Sequence, residues 1–123
     1  MPKHKRRPPS LSDEAVRLVA ARFRALGDPT RLRVLNTLME GEFSVQELVE
    51  ATGLEQPTVS RHLSVLRRDA VVERRSDGNR AYYSICDPTV VELCRIVCAG
   101  LAGQASETLD SLPEDRFWRG EGI

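Results

Sequence analysis

Apolar residues recur at helical spacing in five stretches of the chain, and one pair of short alternating runs lies between the fourth and the fifth. In the first stretch Leu11 and Val16 flank Ser12 as a hydrophobic staple, so a helix is expected from about Asp13 to Leu26, with Val16, Val19, Ala20, Phe23 and Leu26 as its apolar stripe. Periodicity shows only that this stripe packs on something. Gly27 ends the helix, and Asp28-Pro29 supplies a capping acid and a first-turn proline for a second, with Leu32, Leu35, Leu38 and Met39 at core spacing and Gly41 closing it. Ser44-Val45-Gln46-Glu47 has the form of a capping box and starts a short third helix that stops at Gly53.

The fourth stretch, Leu54 to Ala70, reads LEQPTVSRHLSVLRRDA. Val59, Leu63, Leu66 and Ala70 share one face of its helix, while Thr58, Arg61, Ser64 and Arg68 project from the other. Only a tight turn fits between Thr52 and Gln56, which is the connection of a helix-turn-helix. Val71–Arg75 and Arg80–Ile85 then read as strands around Ser76-Asp77-Gly78-Asn79, where Asp-Gly marks a hairpin. A hairpin in this position is a wing. The last helix opens at Asp87-Pro88 and runs towards Leu112, with Val91, Cys94, Cys98, Leu101, Ala105, Thr108 and Leu112 stepping by three and four as in the seam of two packed helices. In so small a chain that seam is best filled by a second copy.

The expected fold is mainly α (α+β): a winged helix-turn-helix with about five helices and a two-stranded wing, dimerising through terminal helices. Residues 12–112 form the domain, 1–11 a disordered basic tail and 113–123 a C-terminal tail in which the packing of Phe117 and Trp118 is left open. Hydroxyls, amides and guanidinium groups on the outer face of the fourth helix are the groups that bond base edges and phosphates in a major groove. Gln56, Thr58, Ser60, Arg61, Ser64 and Arg68 are therefore the expected DNA contacts of the helix, and Arg75, Asn79 and Arg80 those of the wing. Arg31 and Arg33, near the start of the second helix, fit surface pairing better than phosphate contact, and His62 fits a hydrogen-bonded structural role.

Charge changes the picture only through its distribution. The chain holds 18 basic and 18 acidic residues, yet residues 1–33 carry nine Lys/Arg against three Asp/Glu, and residues 86–123 carry three against seven. Residues 54–85 are also basic, six against four, so one face is suited to phosphates. No apolar run approaches the ~20 residues needed to span a bilayer, and the basic N-terminus lacks the apolar segment of a secretory signal, so a cytoplasmic protein is expected. Three cysteines in such a compartment leave free thiols, thiolate ligands or small buried hydrophobes as options. Cys94 and Cys98, one helical turn apart, are the candidate sensor for a soft metal or metalloid ion or an oxidant, and Cys86 is a weaker candidate.

The runs FRALGDPTRLRVL (Phe23–Leu35), FSVQEL (Phe43–Leu48), QPTVSRHLSVLR (Gln56–Arg67) and AYYSI (Ala81–Ile85) together resemble the ArsR/SmtB family of bacterial winged-helix repressors over about Ala15 to Val97. The resemblance implies a homodimeric repressor of a palindromic operator, with the first helix also at the dimer interface, usually released by a metal ion or another small inducer. Several departures accompany it. Glu55 and Ala70 stand where a serine cap and a glycine are usual. Ser44 and Gln46 replace the common cysteine pair of the third helix, and the last helix has Asp87 but no histidine, so a four-ligand zinc site there is not expected. An alternative reading, a winged helix serving protein interaction without DNA, would call for an exposed apolar patch rather than Arg61, Arg68, Arg74, Arg75 and Arg80 around one surface. An enzyme is disfavoured, since there is no Gly-rich phosphate loop and no evident nucleophile–base pair.

Overall fold

The computed structural model describes residues 10–104. In chain order these form α1 (Asp13–Leu26), α2 (Pro29–Leu38), β1 (Phe43–Ser44), α3 (Val45–Thr52), α4 (Gln56–Arg68), β2 (Val72–Asp77), β3 (Arg80–Ile85) and α5 (Pro88–Gln104). The expected N-terminal tail up to Pro9, the continuation of the last helix through Ala105, Thr108 and Leu112, and the C-terminal tail lie outside the described residues. None of the described helices is long and apolar enough to cross a membrane.

Local chemistry fixes the helix starts. The Ser12 hydroxyl accepts from the Ala15 amide at 3.1 Å, and Asp13 and Glu14 face the positive end of the α1 dipole. Asp28 accepts from the Arg31 amide at 3.0 Å, with Pro29 in the first turn of α2 where a missing N–H costs nothing. The capping box of α3 is complete: Glu47 N–H donates to the Ser44 hydroxyl at 3.1 Å, and Ser44 N–H donates to the Glu47 carboxylate at 2.9 Å. Gly53, at φ +75°, ends α3 in the left-handed region.

Three local expectations shift. The second helix closes at Leu38 rather than at Gly41, because the bonding tightens to three-residue steps, Glu40 N–H to the Thr37 carbonyl and Gly41 N–H to the Leu38 carbonyl; Gly41, at φ +144°, then turns the chain into β1. That strand makes the sheet three-stranded, in the order β1-β3-β2, with Phe43 opposite Tyr83 and Ser44 opposite Tyr82. Two residues are too few to show an alternating pattern. The wing is also longer than expected: Ser76 and Asp77 still pair, with Ala81 and Arg80, so the connection is the two-residue loop Gly78-Asn79 with Gly78 at φ +64°.

Past Arg68 α4 closes in a Schellman motif, in which Val71 N–H reaches the Leu66 carbonyl at 2.8 Å and Ala70 N–H the Arg67 carbonyl at 3.0 Å. Ala70 occupies the left-handed position at φ +61°. Its side chain is exposed, so it does not extend the core face as the sequence pattern suggested. The neighbouring Val71 and Leu66 bury fully and supply the apolar contact that accompanies this motif.

The core gathers Leu26, Val34, Leu35, Leu38, Leu48, Val59, Leu63, Leu66, Val71, Val72 and Val90, so α2, α3 and α4 close around it with the base of the wing and the start of α5. Each such aliphatic side chain contributes ~1.5 to 3 kcal/mol when fully buried. Along α1 only Ala25 and Leu26 are buried. Val16, Val19 and Phe23 lie 41–54 % exposed, as do Val97 and Leu101 of α5 at 49 % and 42 %.

Candidate nucleic-acid interface

Burial of Val59, Leu63 and Leu66 turns the opposite face of α4 to solvent, where Gln56, Arg61, Ser64 and Arg68 are exposed and Thr58 and Ser60 are half-buried. Arg61 makes no hydrogen bond or ion pair with another described residue, while Arg68 lies 3.7 Å from Asp69. Beside it, His62 is buried at 6 % exposure and accepts from Arg31 Nε at Nδ1, 3.3 Å away. Burial lowers the pKa of this imidazole from its ordinary value; nearby Asp28 opposes the shift, and Arg31 and Arg61 reinforce it. The same Arg31 donates to the Arg24 and Ala25 carbonyls at the end of α1, and Arg33 donates to the Thr52 carbonyl at 2.6 Å. Both arginines brace the scaffold.

The wing arginines differ in their engagement. Arg75 makes a bidentate pair with Glu42, 2.9 Å at each contact, and its guanidinium sits 5.2 Å from the centre of the Tyr82 ring. The pair holds the Glu42 carboxyl below its usual range and raises Arg75 above its own. Arg74 reaches the Ser76 hydroxyl at 3.3 Å. Arg80 instead lines an open cleft of about 300 Å³ together with Ser44, Gln46 and Gln56, so the tip end of β3 and the first turn of α4 meet there. Asn79 is at the tip, exposed. Sequence alone does not single out Gln46, whose visible role is in the capping-box pattern. Arg67 is a second addition: it is exposed, and helical spacing sets it beside Ser60 and Ser64.

Of the three thiols, Cys94 and Cys98 come together and Cys86 does not join them. The pair lines an apolar groove of about 480 Å³ with Phe23, Leu26, Leu93 and Leu101, whereas the exposed Cys86 thiol donates to the Ala70 carbonyl at 3.5 Å. Cys98 is buried and Cys94 half-buried, and burial, reinforced by Cys98, pushes the Cys94 thiol above its ordinary pKa. Asp87 is committed elsewhere: its carboxylate accepts from the Thr89 amide at 3.0 Å, from the Thr89 hydroxyl at 2.6 Å and from Arg22. No group of three or more His, Cys, Asp or Glu among the described residues is arranged to hold a metal ion, so a closed zinc site does not fit them.

The sequence and the fold are similar to those of known proteins. Residues 28–74 match the family model described as bacterial regulatory protein, arsR family. The chain is 43 % identical over 88 residues to a probable mercury resistance operon repressor of Streptomyces lividans, covering 72 % of this chain and 70 % of that one. It is 39 % identical over 106 residues, 85 % of this chain and 93 % of the other, to the uncharacterised HTH-type transcriptional regulator Rv0081 of Mycobacterium tuberculosis. The crystal structure of Rv0081 superposes with a TM-score of 0.70, covering 80 % of this chain and 99 % of that one. A solution structure of the homodimeric winged helix-turn-helix domain of Mb0332 from Mycobacterium bovis, 31 % identical, gives a TM-score of 0.68 over 79 % of this chain and 93 % of that domain. With these likenesses spanning most of its length, the chain is a winged helix-turn-helix transcriptional regulator and belongs to the arsR family.

Proposed function

We propose that the protein is a homodimeric repressor that reads a palindromic operator with α4 and grips the flanking backbone with the wing. The observation that carries this reading is the exposed Arg61, which pairs with no other described residue, on a helix whose opposite face is locked into the core. Gln56, Thr58, Ser60, Arg61 and Ser64 face base edges, Arg68 and Arg80 the phosphates, and Asn79 the minor groove beside the wing tip. Arg75 acts by stiffening the wing through Glu42 and Tyr82, and it reaches phosphate only by leaving that pair. The apolar faces of α1 and α5 meet their counterparts in a second copy, as the homodimeric relative from Mycobacterium bovis supports. The domain so defined is residues 12–112, flanked by the two tails.

The test is fluorescence anisotropy on the DNA upstream of the protein's own gene, at several salt concentrations. Arg61→Ala should cost ~1 to 3 kcal/mol and relax sequence preference, whereas Arg80→Ala should weaken binding to all sequences and flatten the salt slope by about one unit. Unchanged operator affinity in Arg61→Ala would reverse the assigned face.

An inducer acting on thiols, whether a soft metal, a metalloid ion or an oxidant, would engage Cys94 and Cys98, because both line the groove between α1, α2 and α5. The relative from Streptomyces, a probable mercury resistance repressor, supports a soft-ion chemistry. Binding at two thiolates would remove their protons and alter the packing of α5, with a coupling of ~1 to 3 kcal/mol on operator affinity. Cadmium, arsenite or peroxide should then weaken the parent's operator binding and leave a Cys94→Ser/Cys98→Ser variant unaffected. Equal parent affinities under every condition would leave the two cysteines as packing residues.

A further inference from the structure

We infer that Arg22 is a positioning residue for operator recognition: it ties α1 to the start of α5 and to the end of the recognition helix, and so fixes the half-site spacing the dimer accepts. The proposal rests on the reading of α1 and α5 as the dimer interface. Core packing does little to orient α1, since Ala25 and Leu26 at its last turn are its only buried residues. The polar tie lies one turn earlier. Arg22 Nη1 donates to Asp87 Oδ2 and Nη2 donates to the Asp69 carbonyl at 2.9 Å, partners 65 and 47 residues away in the chain.

Each end of this tie is itself held. Thr89 occupies Asp87 Oδ1 through both its amide and its hydroxyl, leaving Oδ2 for the guanidinium. Asp69 caps α4, so its carbonyl lies at the negative end of the helix dipole, which favours a cation. The next two carbonyls of the same turn are tied to the segment before α5: Ala70 accepts from the Cys86 thiol, and Val71 accepts from the Cys86 amide at 2.9 Å. The end of the recognition helix is therefore a node joined by polar bonds to α1 and to the segment that leads into α5. A planar guanidinium can serve two acceptors with its two terminal nitrogens, whereas a lysine ammonium presents one point charge.

In a dimer built on α1 and α5, the angle from those helices to α4 sets the separation of the two recognition helices. An operator with half-sites one helical turn apart accepts only a narrow range of that separation. Loosening the tie should therefore relax spacing preference as well as lower affinity.

The experiment measures affinity for duplexes that carry the half-site selected by the parent from random DNA, with the spacing between half-sites changed by one or two base pairs. Parent, Arg22→Met, Arg22→Lys and Asp87→Asn are compared, with circular dichroism and sedimentation reporting fold and dimer. Arg22→Met should lose about tenfold in affinity at the best spacing, the scale of a typical coupling between sites, and its spacing profile should flatten. Arg22→Lys and Asp87→Asn should fall between it and the parent, and they carry the test if Arg22→Met folds poorly. A uniform loss that leaves the profile unchanged, or no loss, would make Arg22 a stabilising residue only and overturn the proposal. A parent that binds none of the duplexes would overturn the repressor reading, and the positioning role with it.

Discussion

The helix-turn-helix core and the pair α1 and α5 are built from similar residues but end in opposite states. Leu35, Leu48, Leu63 and Leu66 of the former are at most 1 % exposed, while Phe23 of α1 and Ile96, Val97 and Leu101 of α5 keep 42–60 % of their surface. Isolated helices of about a dozen residues are marginal in water, so helices with an apolar face left open are incomplete as they stand. One region is finished within a single chain and specifies the fold. The other stays open within the chain, and its apolar faces are what a second copy would cover.

Substitution in the closed region should have the largest effect. Leu66→Ala removes a fully buried side chain that also makes the apolar contact of the turn after α4, and should cost ~2 to 5 kcal/mol with loss of helix content and DNA binding together. Val97→Asp on the open face should instead leave the fold of the single chain in place. For the parent, melting temperature should rise with protein concentration, because association stabilises the folded state by mass action. Val97→Asp should abolish that rise and operator affinity with it, and sedimentation should show a monomer. A Val97→Asp protein that stayed dimeric would place the interface elsewhere and collapse the distinction between the two regions.

The same division explains what was legible in the sequence. Helix starts were readable because each depends on two or three adjacent residues: Ser12, Asp28-Pro29 and the Ser44–Glu47 box all act as local chemistry dictates. The buried and exposed faces of α4 were readable from period alone, Ala70 excepted, since that residue lies beyond the helix. Contacts between distant segments were not. Nothing in the local pattern pairs Arg75 with Glu42 or Arg22 with Asp87, because a guanidinium finds its carboxylate only after the chain has folded. From the sequence alone Arg75 therefore reads as a wing contact to DNA. The strand Phe43–Ser44 has no signature in the sequence for the same reason, being defined by its partner β3 rather than by its own residues.

The smallest expected effect lies at the joint between the two regions. Ala70 holds the left-handed position of the Schellman turn at φ +61°, where a Cβ is unfavourable by ~1 to 2 kcal/mol and glycine is the usual occupant. Its side chain is exposed and packs into no core, so little contact is lost on removing it. Against that gain stands the extra freedom of glycine in the unfolded chain, ~0.4 to 1 kcal/mol. The balance favours the native turn, and Ala70→Gly should stabilise the protein by roughly 0.5 to 1 kcal/mol, a rise of a few degrees in melting temperature for a domain of this size. Operator affinity should hold, because the carbonyls of residues 69–71 that engage Arg22 and Cys86 belong to the backbone and survive the change. Thermal unfolding followed by circular dichroism checks the first statement and anisotropy the second. A lower melting temperature would mean that alanine stiffens this joint more than it strains it. Stabilisation with weakened DNA binding would instead show that strain at Ala70 helps to set the angle between the closed region and the open helices.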